Sequence, residues 1–273
     1  VSDEEWGIQL LGPLRVQVGG RPLDLSGPRQ EKVLAVLVLD ADRVVPFDTL
    51  VDALWDDAPP DTARRQVHNA IAALRRCLGP LRDLIVTDGR GYRADLSGAP
   101  GGRERVDAHR FLHLVRSADT ALAAGHRAGA VTALTDGLAR WNGPALAGLD
   151  GRAVRILAGR LDEQRLTALE RLFDLRLDED APGSLVPALA ELVATHPLRD
   201  PFRRQLMLAL HRAGRQADAL EVYQQGRALL AADLGLDTRA ELRLLHERIL
   251  RCDPALDRPA TGPGAPPPAP ATA

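Results

Sequence analysis

The stretch TARRQVHNAIAALRR, residues 62–76, carries four arginines and no acid, and it constrains the fold more tightly than any other segment. Wound as a helix at about 100° per residue, it gathers Ala63, Val67, Ile71 and Leu74 into one stripe, which Leu78 extends. Arg65, Asn69, Ala72 and Arg76 fall on the opposite side. One face packs. The other alternates long polar side chains with small ones, so a second body can come close between the arginines, as it must around a helix that enters a groove. The bland alternative is a solvated face, in a chain where arginine has displaced every lysine but Lys32. Regional charge separates the two. Residues 1–61 hold five basic and twelve acidic side chains, residues 62–93 hold seven and two, and the remainder is balanced. Positive charge confined to one segment of a chain with net formal charge -2 is the electrostatic footprint of a phosphate-binding face.

The flanking segments say what holds that helix. Alternation at Ile8 and Leu10, and after Gly12-Pro13 at Leu14, Val16 and Val18, predicts strands, with a turn at Gly19-Gly20 and PLDL running back. Pro28 after a capping Ser26 predicts a buried helix through QEKVLAVLVL to about Leu39. A short VVP segment then leads to TLVDALW, a second helix that Asp48 is expected to cap. Pro59 and Pro60 make DDAPPD a loop, and the basic helix starts beyond it. Leu84 to Thr87 and Tyr92 to Leu96 flank DGRG, a hairpin signal with Asp-Gly at the turn. Sheet, helix, helix, loop, basic helix and hairpin make a winged helix-turn-helix with a sheet in front. Its third helix is presented to the major groove and its hairpin carries Arg90 as a wing.

The glycine-rich SGAPGGR, 97–103, predicts the end of this first domain, 1–97. The second, 104–253, reads as helix throughout. Leu112, Val115, Leu122, Val131, Leu134 and Leu138 mark a helical pair around AGHRAG, and a long helix runs from about Arg152 to Asp178. AGHRAGAVTALTDGLARWNGP and HRAGRQADALEVYQQGRALLAADLG share a turn glycine followed by regularly spaced alanines, resembling tetratricopeptide helix pairs that stack to hold a partner. Trp141 and Tyr223 are expected to pack within these helices. Residues 254–273 are rich in Pro and Ala and read as a disordered tail. The fold class is therefore mainly α with small β-sheets: an N-terminal winged helix-turn-helix followed by an all-α tetratricopeptide-like domain.

Enzyme chemistry finds little support. GxxxxGK[ST], HExxH and GxSxG do not occur, and the seven histidines are dispersed. His109 and His113 stand four apart near Asp107, a spacing compatible with a metal, but without a second ligand cluster the expectation is an ordinary histidine pair. No catalytic residue, metal or cofactor is assigned. Cys77 and Cys252 fall on predicted helices outside any CxxC pattern and read as buried thiols. No apolar run reaches membrane-spanning length, and VSDEEWG has no signal-peptide character, so a cytoplasmic protein without a membrane partner is expected.

LGPLRV, the run from PRQEKVLAVLVLDADRVVPFDTL to AIAALRR, and IVTDGRGYRADL resemble the OmpR-type winged helix of the Streptomyces antibiotic regulatory proteins. HPLRDPFRRQLMLALHRAGRQADALEVYQQGRALLAADLGLDTRAELRLLHERIL resembles the bacterial transcriptional activation domain that follows it in that family. The likeness covers about residues 7–252. It implies a DNA-binding activator of an antibiotic biosynthetic gene cluster, dimeric on tandem direct repeats near a promoter, that engages RNA polymerase through sigma and neighbouring subunits. It also implies that 62–76 is the recognition helix, that 85–95 is the wing, and that WDDAPPDTA, with Asp56, Asp57 and Asp61, is the polymerase-facing loop. Neither a receiver domain nor the nucleotide-binding and repeat domains of larger members is expected, which leaves control to abundance, a ligand or a partner.

Within the recognition helix, Arg65, Asn69 and Arg76 are expected in the groove, since arginine pairs bidentately with guanine and asparagine with adenine. Arg64, Gln66, His68 and Arg75 are expected on phosphates, and Thr62 at the helix start adds a hydroxyl or amide there. Tyr92, beside the wing, is divided between contact and core, and Trp55 leans towards core. The competing function is a helical-repeat adaptor whose winged domain binds protein; steep salt dependence distinguishes DNA binding from it.

Overall fold

The computed structural model describes residues 6–25, 27–234 and 239–257. Three strands, β1 (Trp6–Gln9), β2 (Arg15–Val18) and β3 (Arg21–Leu23), form an antiparallel sheet in that order, with Ile8 opposite Val16. Gly19 and Gly20, both at positive φ (59° and 74°), make the β2–β3 turn, the backbone a two-residue hairpin of matching twist demands.

Helix α1 (Pro28–Leu39) buries every residue from Val33 to Val38, so its C-terminal half is enclosed by the domain. Its N-cap is Gly27, without a side-chain cap; the expected cap, Ser26, lies outside the described residues. Strand β4 (Val45–Pro46) passes directly into α2 (Phe47–Trp55). The N-cap there is Pro46 and not Asp48, because pairing of Val45–Pro46 with the wing brings the helix start forward. Asp48 sits instead in the first turn, where the helix dipole favours a carboxylate. Helix α3 (Ala63–Leu78) follows, and then β5 (Ile85–Asp88) and β6 (Gly91–Ala94) close a second sheet ordered β4-β6-β5. A Cβ on Gly91 would stand 2.1 Å from the Val45 carbonyl oxygen, so only glycine lets β4 and β6 pair there.

Two compact units divide the chain, residues 1–168 and 169–273. The first holds both sheets, α1 to α3, α4 (Asp107–Ala123), α5 (Arg127–Leu138) and the start of α6 (Arg152–Glu179). The glycine-rich 97–103 thus lies inside this unit, and hydrogen bonds show why. The Leu10 and Leu11 amides donate to the Asp107 carboxylate at 2.8 and 3.1 Å, and the Trp6 indole donates to the Pro100 carbonyl at 2.8 Å. The Asn142 amide donates to the Leu11 carbonyl at 2.7 Å. Burial pushes the Asp107 carboxyl up from its ordinary range, against amides that hold it charged. A glycine-rich stretch signals local chain freedom, and it carries no information about which distant strand bonds across it.

The second unit holds the remainder of α6, α7 (Pro182–Thr195), α8 (Asp200–Arg212), α9 (Gln216–Leu234) and α10 (Ala240–Leu250). They pack around Phe173, Leu189, Met207, Leu210, Tyr223 and Ile249. The first residues of the expected tail are folded. Pro254–Leu256 form a 3-10 turn, Leu256 is buried, and its carbonyl accepts from Arg212 Nε at 2.7 Å; residues 258–273 lie outside the described residues. The buried-thiol expectation fails for both cysteines: Cys77 is half-buried, and Cys252 is exposed at φ 50° just past the end of α10. Among the described residues no helix is long and apolar enough to cross a membrane, and no group of three metal-ligating side chains gathers. His109 is buried with its Nε2 donating to the Val38 carbonyl at 2.7 Å, while His113 is exposed.

Candidate nucleic-acid interface

Helix α3 is seated by Ala63, Val67, Ile71, Leu74 and Leu78, the stripe its periodicity predicts, together with Ala70, all of them buried. Arg65, Asn69 and Arg76 are exposed on the other side, and none makes an ion pair or side-chain hydrogen bond among the described residues. Unpaired guanidiniums beside a carboxamide and the small Ala72 and Ala73 leave a surface of donors and one acceptor.

A groove lies on either side of this helix. One, about 560 Å³, runs between α3 and the start of α1, lined by Arg29, Gln30, Gln66, Asn69 and Arg76. The other, about 790 Å³, runs between the start of α3 and the wing, lined by Phe47, Arg64, His68, Arg90 and Tyr92. Arginine therefore flanks the exposed face on both sides. Arg90 occupies the wing tip beside Gly89, whose φ of 55° in the first central position makes the two-residue turn.

The expected phosphate contacts divide on inspection. Thr62 is the N-cap of α3; its hydroxyl accepts from Gln66 Nε2 at 2.8 Å and does not cap the helix. Arg64 is exposed, 3.3 Å from the Asp48 carboxylate and over the Phe47 ring. His68 is exposed, and its Nδ1 lies 2.6 Å from the Tyr92 hydroxyl, with Phe47 against the ring. Arg75 faces inward: Nε and Nη2 both donate to the Ile85 carbonyl, at 3.0 and 2.8 Å, and Nη2 also reaches the Thr87 hydroxyl. Its side chain ties α3 to the wing. Tyr92 is only 5% exposed, and burial pushes its hydroxyl up, against the pull of Arg75, so it is a neutral hydrogen-bonding phenol of the core. Trp55 is half-buried under the Arg29 guanidinium. Sequence reasoning missed Arg29 and Gln30, which reach the groove only because α1 packs beside α3.

The acidic loop is partly occupied. Asp56, at φ 52°, ends α2, and its carboxylate accepts the Arg152 backbone amide at 2.9 Å, capping α6 from outside that helix. Asp57 pairs with the Arg152 guanidinium at 3.0 Å, and Lys32 pairs with Asp150 alongside. A Cβ on Gly151, at φ 104°, would lie 3.7 Å from Asp56 Oδ1 in a backbone conformation that L side chains rarely adopt. Asp61 is exposed.

The family described as "Transcriptional regulatory protein, C terminal" matches residues 20–94, and "Bacterial transcriptional activator domain" matches residues 106–250. The chain belongs to the Streptomyces antibiotic regulatory protein family. It is 39% identical over 254 residues to the regulatory protein AfsR of Streptomyces griseus, covering 93% of this chain and 25% of AfsR. The transcriptional regulator RedD of Streptomyces coelicolor is 36% identical, with 93% and 73% covered. The solved structure of Mycobacterium tuberculosis EmbR, in complex with a low affinity phosphopeptide, superposes with a TM-score of 0.84 at 32% identity, covering 92% of this chain and 68% of EmbR. This chain thus spans a quarter of AfsR's length. The family is one of transcriptional regulators, not enzymes.

Proposed function

We infer that the chain is a sequence-specific DNA-binding activator of an antibiotic biosynthetic gene cluster, acting as a dimer on tandem direct repeats near promoters and recruiting RNA polymerase. One observation carries the DNA reading: α3 presents unpaired Arg65, Asn69 and Arg76 outward, with an arginine-lined groove on each side. A helix lying in a major groove about 12 Å wide meets bases in front and a phosphate backbone on either side. Arg65, Asn69 and Arg76 then read bases. Thr62, Arg64 and His68 hold one backbone together with Arg90, and Gln66 and Arg29 hold the other. Arg75 and Tyr92 position the helix against the wing. Repeats about one helical turn apart place two copies on one face of the duplex. Inserting a half-turn between them is expected to abolish cooperative occupancy and activation; unchanged occupancy and activation would remove the paired arrangement.

For the acidic loop, the polymerase reading and the internal pairing make opposite demands on Arg152. If Asp56 and Asp57 meet a basic surface of sigma, Asp56→Asn with Asp57→Asn lowers purified transcription while Arg152→Ala, which frees Asp57 and leaves the backbone amide on Asp56, does not. Equal losses in both variants would confine those acids to holding α6 and leave Asp61 alone for polymerase. Operator affinity should not fall in either variant.

A further inference from the structure

Away from α3 and the wing, a cleft of about 370 Å³ opens in the first unit between the end of α1, the start of α4 and the middle of α6. Arg43 reaches it from the α1–β4 loop, Arg116 from α4 and Arg160 from α6; all three are exposed. None of the three makes an ion pair or side-chain hydrogen bond among the described residues, in a chain where acids outnumber arginines and lysines by 37 to 35. Arg103 also lines the cleft and is held to Asp42 at 2.9 Å. Of the two acids in the lining, Glu104 is committed to Arg110, which leaves Asp40 as the single local counter-charge. Leu39, Ala41 and Leu112 supply an apolar floor.

Three separate elements therefore aim uncompensated guanidiniums into one concavity. Convergence of like charge is unfavourable unless an anion joins it, and a cleft focuses the resulting potential. His109 lines the same cleft. Its ring is held below its ordinary proton affinity, first by burial and further by Arg103 and Arg116, with Asp42 and the Val38 carbonyl acting the other way.

We propose that this cleft is a binding site for a small phosphate-bearing ligand, gripped by Arg43, Arg116 and Arg160. Arginine suits the task, because its planar fork meets phosphate oxygens two at a time and stays charged at every physiological pH. The volume lies in the range of small-ligand sites, roughly 300–1,000 Å³. A single phosphate would leave the apolar floor uncovered, which favours a phosphate attached to a compact organic body. Such a ligand would link the loop after α1, in the winged half of the unit, to α4 and α6. The proposal does not depend on the DNA reading, since none of these residues lines either groove beside α3.

The test titrates the full chain with pyrophosphate and, separately, with ATP, at constant ionic strength set by chloride, following calorimetric heat and the thermal midpoint. A ligand that binds only the folded state raises the midpoint with concentration. Saturable binding of at least one probe below millimolar concentration is expected. Arg116→Ala with Arg160→Ala should weaken it at least tenfold, without lowering the midpoint of the unliganded protein. Arg43→Ala should weaken it less, and Arg65→Ala, on the recognition face, should bind like the parent. Binding that is equal in parent and double variant, lost only in Arg65→Ala, or seen only at tens of millimolar would overturn the proposal. So would a double variant that loses operator affinity while neither probe binds the parent, which would make the cleft a DNA contact.

Discussion

Helices α3 and α8 are both arginine-rich, and they use the same side chain in opposite ways. On α3, Arg65 and Arg76 are exposed with no counter-charge among the described residues. On α8 and at its N-cap, the arginines turn to acids spaced four apart on α6. Arg199 meets Glu170 at 2.5 Å, Arg204 meets Asp174 at 2.5 Å, and Arg212 meets Asp178 at 3.6 Å. Arg212 also donates to the Leu177 and Leu256 carbonyls, both at 2.7 Å. Arg203 goes deeper still, at 4% exposure beside Asp200, and it passes Gly226 so closely that a Cβ there would lie 2.3 Å from its Nε. Arginine count therefore says little about function. What matters is whether the fold supplies an internal partner: Arg64 and Arg75 on α3 have one, and Arg65 and Arg76 do not.

The contrast breaks first at Arg212. Alanine there removes the ion pair to Asp178 and the donors to two carbonyls in a mostly buried setting, and is expected to destabilise the second unit by about 3 kcal/mol. Urea unfolding measures it; a loss below 1 kcal/mol would mean that Arg212 is as dispensable to folding as Arg65 and Arg76. Next come Arg65→Ala and Arg76→Ala, each expected to weaken binding to the cognate site by roughly 1–3 kcal/mol with relaxed preference at one base pair, while leaving the unfolding midpoint alone. Uniform loss on all DNA would move that arginine from base to phosphate. A drop in unfolding midpoint would show that Arg65 or Arg76 also helps to hold the fold.

The smallest effect sharpens the comparison of the two units through pH. His109 in the first and His246 in the second are both held below the ordinary histidine range, chiefly by burial. Each binds a proton more readily unfolded than folded, so its stabilising contribution is complete above about pH 6.5 and is lost as pH falls from there through the lower folded value. Unfolding midpoints should fall between pH 7 and pH 5. His109→Gln, which keeps a donor for the Val38 carbonyl, should flatten the loss in the first unit only. An unchanged slope would mean that other groups carry the acid sensitivity.

Much of the candidate interface was legible because it rests on local periodicity. The buried stripe of α3, its exposed arginines, the hairpin wing and the proline-broken loop follow from residues within a turn or two of one another, although the turn itself is Gly89-Arg90, with Asp88 in the strand. The inward rotation of Arg75, the burial of Tyr92 and the capping of α6 by Asp56 were not legible. Each depends on a partner 10 to 96 positions away, set by the strand pairing or by the docking of α6. Arg29 was missed for the same reason: one arginine at a helix start has no periodic neighbours, and only the packing of α1 beside α3 brings it to the groove.

By itself, the sequence determined that a basic amphipathic helix sits between a short helix and a hairpin, and that helical repeats follow. Side-chain spacing along one chain fixes which faces are apolar and where charge concentrates. Only the tertiary structure decided which of those charges remain available. Coulomb attraction and hydrogen bonding act between groups that folding brings within a few ångströms, whatever their separation along the chain. Asp56 and Asp57 end on Arg152 and Arg212 ends on Asp178, while Arg65 and Arg76 end facing solvent.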